Sequence, residues 1–198
     1  MLKNILILSL TICLCACGPE SEENPLPVQD SPERVLEVPQ GQYFVTANGP
    51  VEFFVPAGWF QNPGKHPYDL QVLSEDQQMN TGVFLFKMQD LAETTTPQDL
   101  LRIQIEDLES KRENFKVVEE RKVEQLDDKT LTSVVYSGEK NDLSYIYRFV
   151  LIEFEDHPDL VPVVLQVAIP SNWPLDKFIQ EAITASARVQ SDSDSAEE

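Results

Sequence analysis

The sequence predicts an α+β domain in which helices flank an antiparallel β-sheet. Three observations carry that reading. Four runs of strand composition follow one another between residues 115 and 169, joined by short polar turns. A helix opens at Thr96-Pro97 before this meander, and another opens at Pro174 after it. An early pair of apolar runs flanks Asn48-Gly49. The order of strands, helix, meander and helix describes one domain over residues 41–190, without an internal repeat.

Taken in order, residues 43–47 and 51–55 read as a hairpin around Asn48-Gly49, the strongest short hairpin signal. Val51, Phe53 and Val55 alternate onto one face, as a half-buried strand requires. Pro56 and Gly58 stop that strand, and Trp59-Phe60 follow. Residues 61–69, with Pro63, Gly64 and Pro67, form a loop. Residues 70–73 and 83–88 are two further strands. Thr96 is then the N-cap, Pro97 takes the first helical position, and Asp99 places charge at the positive end. Leu101, Ile105 and Leu108 form the buried stripe of this helix, and Lys111 and Arg112 suit its last turn.

The meander occupies residues 115–123, 129–137, 144–154 and 161–169. Its turns are Leu126-Asp127-Asp128, residues 138–142 and residues 155–159. Tyr145, Tyr147, Phe149 and Leu151 share one face of the third strand, and Ile146, Val150, Ile152 and Phe154 fill most of the other. That pattern belongs to a central strand covered on both sides. Val161, Val163, Leu165, Val167 and Ile169 share one face of the fourth. In the closing helix Leu175, Phe178, Ile179, Ala182, Ile183 and Ser186 recur at helical spacing.

The first 17 residues give the chain an address. Lys3 is followed by an apolar run to Leu14 and the small residue Ala16, the layout of a secretory leader. The run is too short to span a bilayer, which takes about 20 apolar residues. Leu14-Cys15-Ala16-Cys17-Gly18 resembles a bacterial lipobox. The resemblance implies cleavage after residue 16 and lipidation of Cys17, with the leader at 1–16. Each buried CH₂ contributes about 0.8 kcal/mol, so two or more acyl chains hold a protein durably at a membrane. By resemblance to envelope sorting signals, Gly18 after the cysteine implies the outer membrane, facing the periplasm. Residues 17–40 carry five Pro and six acidic residues and read as a disordered tether. Residues 191–198 read as a disordered acidic tail.

Composition excludes several classes of function. All three cysteines, Cys13, Cys15 and Cys17, lie in the leader or at its cut, leaving the domain no thiol for a disulfide, a zinc site or a nucleophile. The net charge is −19, and loss of the leader removes Lys3 and no acidic residue. Nucleic acid is therefore not an expected partner. A local basic island of Lys111, Arg112, Lys116, Arg121 and Lys122 suits a docking patch or a solvated helix end.

Catalytic signatures are missing from the sequence: it has no G-x-S-x-G, no phosphate-binding glycine loop and no H-E-x-x-H. A hydrolase would need His66 or His157 in a cleft with Ser74 or Ser137, and both histidines precede proline in loops. Glu153, Glu155, Asp156, His157 and Asp159 make the densest group of oxygen ligands for a hard cation. Within it Glu155, Asp156, His157 and Asp159 are the candidates, although a solvated hairpin end has the same composition. No metal and no cofactor is assigned. Trp59 and Trp173 read as core or core-edge residues.

Three features coincide in the domain: Phe53-Phe54-Val55-Pro56-Ala57-Gly58-Trp59 after an early hairpin, one mid-chain helix, and a closing helix ending Ile183-Thr184-Ala185-Ser186-Ala187-Arg188. Together they resemble the PsbP-like superfamily of photosystem extrinsic proteins, Ran-binding Mog proteins and bacterial lipoproteins of the DcrB type. The resemblance implies an α/β/α sandwich around an antiparallel sheet and action by binding a partner. The expected function is a non-enzymatic envelope lipoprotein that binds a protein partner. The alternative is a carrier of a small apolar ligand, in a pocket between sheet and helix lined by some of Phe53, Trp59, Phe84, Tyr145 and Phe149.

Overall fold

The computed structural model describes residues 40–62 and 64–191. The expected leader, Cys17, nearly all of the tether and the tail beyond residue 191 lie outside the described residues. The described residues form ten strands and two α-helices, in the expected order with the short strands Phe60–Gln61 and Arg188–Val189 added. They are β1 (Gly41–Val45), β2 (Val51–Pro56), β3 (Phe60–Gln61), β4 (Leu70–Leu73), β5 (Asn80–Lys87), α1 (Pro97–Glu109), β6 (Glu113–Gln125), β7 (Lys129–Lys140), β8 (Leu143–Phe154), β9 (Leu160–Ala168), α2 (Trp173–Ala185) and β10 (Arg188–Val189). A 3-10 turn (Met88–Asp90) follows β5. No described helix is long and apolar enough to cross a membrane.

Seven strands form one antiparallel sheet in the order β3-β4-β5-β9-β8-β7-β6. Both of its faces are covered. On one, α1 brings Leu100, Leu101 and Leu108 onto Tyr147, Phe149 and Leu151 of β8. On the other, Val150, Ile152 and Phe154 pack with Val51, Phe53 and Val55 of β2 and with Ile183 of α2. The alternation of β8 thus feeds two cores, as its two apolar faces require. The α1 cap is also as expected. Thr96 Oγ1 accepts from the Asp99 amide at 3.2 Å, and Asp99 Oδ2 accepts from the Thr96 amide at 3.0 Å.

The early hairpin belongs to a second sheet, of order β1-β2-β10. Its third strand returns after α2 and pairs Arg188 with Glu52 and Val189 with Val51. Two residues are too few to show a period, so the sequence pattern hides this strand. Asn48-Gly49 is not the two-residue turn its composition suggests, because β1 and β2 end five residues apart. Thr46 Oγ1 closes this wider loop on the carbonyls of Gly49 and Val51 at 3.0 and 3.1 Å. A Cβ at Gly49 would lie 2.4 Å from Leu85 Cδ2, so a larger residue there would displace the Leu85 side chain. The left-handed turn occurs instead at Asn141 and Asp142, with φ of 53° and 63°. It lets β7 and β8 run further than the composition of 138–142 suggests.

The closing helix corrects one expectation. Leu175 and Phe178 of its apolar series are 79% and 66% exposed, whereas Asp176, Gln180 and Thr184 are buried with Ile183. The reason lies beneath α2, where the sheet presents Arg148 and Gln166. A polar patch on the sheet selects a polar face of the helix, because buried polar groups need partners.

Candidate functional site

β6 is the edge strand of the large sheet, and most of its length is exposed. Its ladder to β7 shifts register between Glu113 and Lys116, between Val117 and Glu119, and between Glu119 and Lys122. Such bulges, with Lys116, Glu120, Lys122 and Glu124 along the strand, guard an edge against indiscriminate pairing. They also turn Val117 towards α1, opposite Tyr136, while Glu119 pairs with Val135.

Between α1 and β6 runs an open groove of about 610 Å³. Leu101 and Ile105 of α1, Val117 of β6, and Val134 and Tyr136 of β7 supply its apolar wall. Val117 is 43% exposed. Phe115 and Tyr136 stack at 4.6 Å beside it, and burial raises the pKa of the Tyr136 hydroxyl. The rim is charged, and its Arg102 is paired. Arg102 bonds Asp99 and Glu106 at 3.2 and 2.9 Å, and Arg121 donates to Gln98 Oε1. The hydrogen bonds from Thr96, with Arg102 adding to them, hold the Asp99 carboxyl below its usual range.

On the other face, Glu119 ties the edge strand to α2. Its Oε1 accepts from Trp173 Nε1 at 3.0 Å and its Oε2 from Lys177 Nζ at 2.5 Å. Burial pushes the Glu119 carboxyl up, but these two hydrogen bonds outweigh it and leave the pKa lowered. Next to this tie, Arg148 is buried under α2. Its Nη1 donates to Gln166 Oε1 at 2.6 Å and Thr184 Oγ1 at 3.2 Å.

The residues singled out in the sequence are not all brought together. Glu155 accepts from Gln125 Nε2 at 2.9 Å, while the His157 carbonyl closes the turn on the Leu160 amide and the Asp159 carbonyl accepts from the Met88 amide. Among the described residues, no three His, Cys, Asp or Glu side chains gather to hold a metal ion, so Glu155, Asp156, His157 and Asp159 form no such cluster. Phe53, Trp59, Phe84, Tyr145 and Phe149 do not line one cavity. Phe53 and Trp59 belong to the core on the α2 face, and Tyr145 and Phe149 to the core on the α1 face. Phe84 packs on Tyr68 with ring centres 4.8 Å apart. Ser74 Oγ bonds Asp76 and Met79, and His66 Nε2 bonds the Asn62 carbonyl, so no serine–histidine pair is formed there.

Four residues of the basic island, Lys111, Arg112, Arg121 and Lys122, have local partners. Lys111 pairs with Asp107 and Lys122 with Glu124. Arg112 donates to Tyr147 Oη at 2.7 Å and lies over its ring. The pattern reading missed Arg148, Gln166 and Glu119. Arg148 interrupts the apolar face formed by Ile146, Val150, Ile152 and Phe154, and Gln166 is its register partner on β9. A charged residue in the middle of a central strand was the available signal.

No family model matches the sequence, and no curated protein matches it significantly. Solved structures do. Cyanobacterial PsbP (CyanoP) from Synechocystis sp. PCC 6803 superposes with a TM-score of 0.57 at 13% identity, over 78% of this chain and 95% of that one. The Saccharomyces cerevisiae Ran-binding protein Mog1p gives 0.55 at 10% identity, over 78% and 97%. A protein from Bacteroides thetaiotaomicron VPI-5482 gives 0.52 at 10% identity, over 78% and 50%. The domain therefore has the PsbP/Mog1-like fold.

Proposed function

We propose that the chain is a non-enzymatic bacterial envelope lipoprotein, anchored through acylated Cys17, that binds a protein partner in the α1–β6 groove. The groove carries this reading: an open apolar trough flanks an edge strand whose own ladder is broken by bulges. Arg102 of its rim is held by Asp99 and Glu106, and the exposed apolar side chains are the recognition element. Strand addition is disfavoured by the bulges, so the partner docks through side chains. That a protein of the same fold is described as Ran-binding supports a binding role. A tether of about 20 residues lets an outer-membrane-anchored domain search the periplasm and occupy even a weak interface.

The test is crosslinking in intact cells, followed by isolation of the lipidated protein. Val117→Asp should abolish a discrete adduct without unfolding the domain, and Cys17→Ser should lose both acylation and the adduct. An adduct unchanged by Val117→Asp would move the interface elsewhere. A Cys17→Ser protein of normal mature mass in the membrane fraction would contradict the anchor.

A further inference from the structure

Arg148 occupies the middle of β8 on the face covered by α2 and is only 5% exposed. Gln166, Gln180 and Thr184 around it are fully buried. Gln166 takes Nη1 on one side and donates to the Gln180 carbonyl at 2.8 Å on the other, which fixes the guanidinium from behind. A guanidinium carries five N–H donors. Two leave from Nη1, and those of Nε and Nη2 have no acceptor among the described residues. Neither atom is sealed in the interior. Arg148 lines a pocket of about 240 Å³.

The composition of the pocket is amphiphilic. Phe178, Ala182 and Ala185 of α2 form one wall, with Leu131 of β7 opposite. These three α2 residues continue from Leu175 as an exposed apolar stripe. Lys122 and Glu124 pair with each other at the edge of the pocket, and Glu181 adds a second carboxylate. Burial lowers the Arg148 pKa to about 10, with Glu181 the main group opposing the shift, so the side chain stays charged at neutral pH.

We propose that this pocket binds a small carboxylate amphiphile, its head paired with Nε and Nη2 of Arg148 and its aliphatic chain lying against Phe178, Ala182 and Ala185. The fork of the guanidinium matches a planar carboxylate in bidentate fashion. Glu124 and Glu181 select a single negative charge over a doubly charged phosphate. The small volume selects a short chain. The site lies on the opposite face of the sheet from the α1–β6 groove and is independent of it.

The test is calorimetric titration of residues 17–198 carrying Cys17→Ser, which lack the leader and the acyl anchor, with decanoate below its micelle concentration. Decanoate should bind at least about tenfold more tightly than decanol or decyl phosphate. Arg148→Met should erase the preference for decanoate over decanol. Ala182→Trp, at an exposed helix position, should fill the pocket and weaken binding about tenfold or more while the circular dichroism spectrum is unchanged. Glu181→Gln should tighten binding. No binding of decanoate by the folded wild type, equal binding of decanol, or binding unchanged by Ala182→Trp would overturn the proposal.

Discussion

Arg148 Nη1 lies 2.6 Å from Gln166 Oε1, a charged hydrogen bond between adjacent strands buried beneath α2. It determines how the closing helix packs. Because the sheet is polar at this point, α2 turns Gln180 and Thr184 inward and leaves Leu175 and Phe178 outside.

Gln166→Leu leaves Arg148 with one fewer acceptor in the interior. Urea denaturation should show a loss of about 1.5–3 kcal/mol, the range for hydrogen bonds to charged groups. Adding Arg148→Met should recover part of that loss, because removing both partners is less costly than orphaning one. Strictly additive losses would show that the two side chains do not act as a pair.

Asp176 lies in the first turn of α2, nearly buried, with Oδ2 lacking a partner among the described residues. Burial, reinforced by the charge of Asp76, raises its pKa, against the pull of the helix N-terminus. The folded state therefore holds the proton more tightly than the unfolded chain. The stability this contributes is complete below the unfolded pKa of about 3.9 and is lost as pH rises through the higher folded value. Asp176→Asn should gain on the wild type in urea midpoint between pH 4 and pH 7. A gain by the wild type over the variant across that window would reverse the assignment.

Ile183 and Leu175 separate the two faces of α2. Ile183 is 1% exposed in the core beside β2, so Ile183→Ala should cost about 2–5 kcal/mol. Leu175→Ser, on the outer face, should stay within about 0.5 kcal/mol. Thermal or urea denaturation of the two variants measures this directly, and equal costs would place both side chains in the core.

Most of the fold was legible because it rests on local signals. Alternation in β8 and β9, the Thr96-Pro97-Asp99 cap and the turn at Leu126-Asp127-Asp128 are all set within a few residues. Other features depend on residues far apart in the chain. Pairing of Arg188 with Glu52, the bond from Trp173 to Glu119, and the space Leu85 leaves at Gly49 have no nearby sequence signature. The groove was illegible for the same reason. Val117 faces α1 because two bulges shift the strand, and a bulge is invisible to a period-two pattern. Arg148 was readable as a break in an apolar face, but its partner Gln166 lies 18 residues away.

The most direct measurement is site-specific photocrosslinking in the native host. A photoreactive residue at position 117, in the groove, is compared with one at position 42, exposed on β1. Position 117 should give one partner adduct of discrete mass in the membrane fraction, lost when Ile105→Asp is added, and position 42 should give none. No adduct from 117, or the same adduct from both positions, would contradict partner binding in the α1–β6 groove.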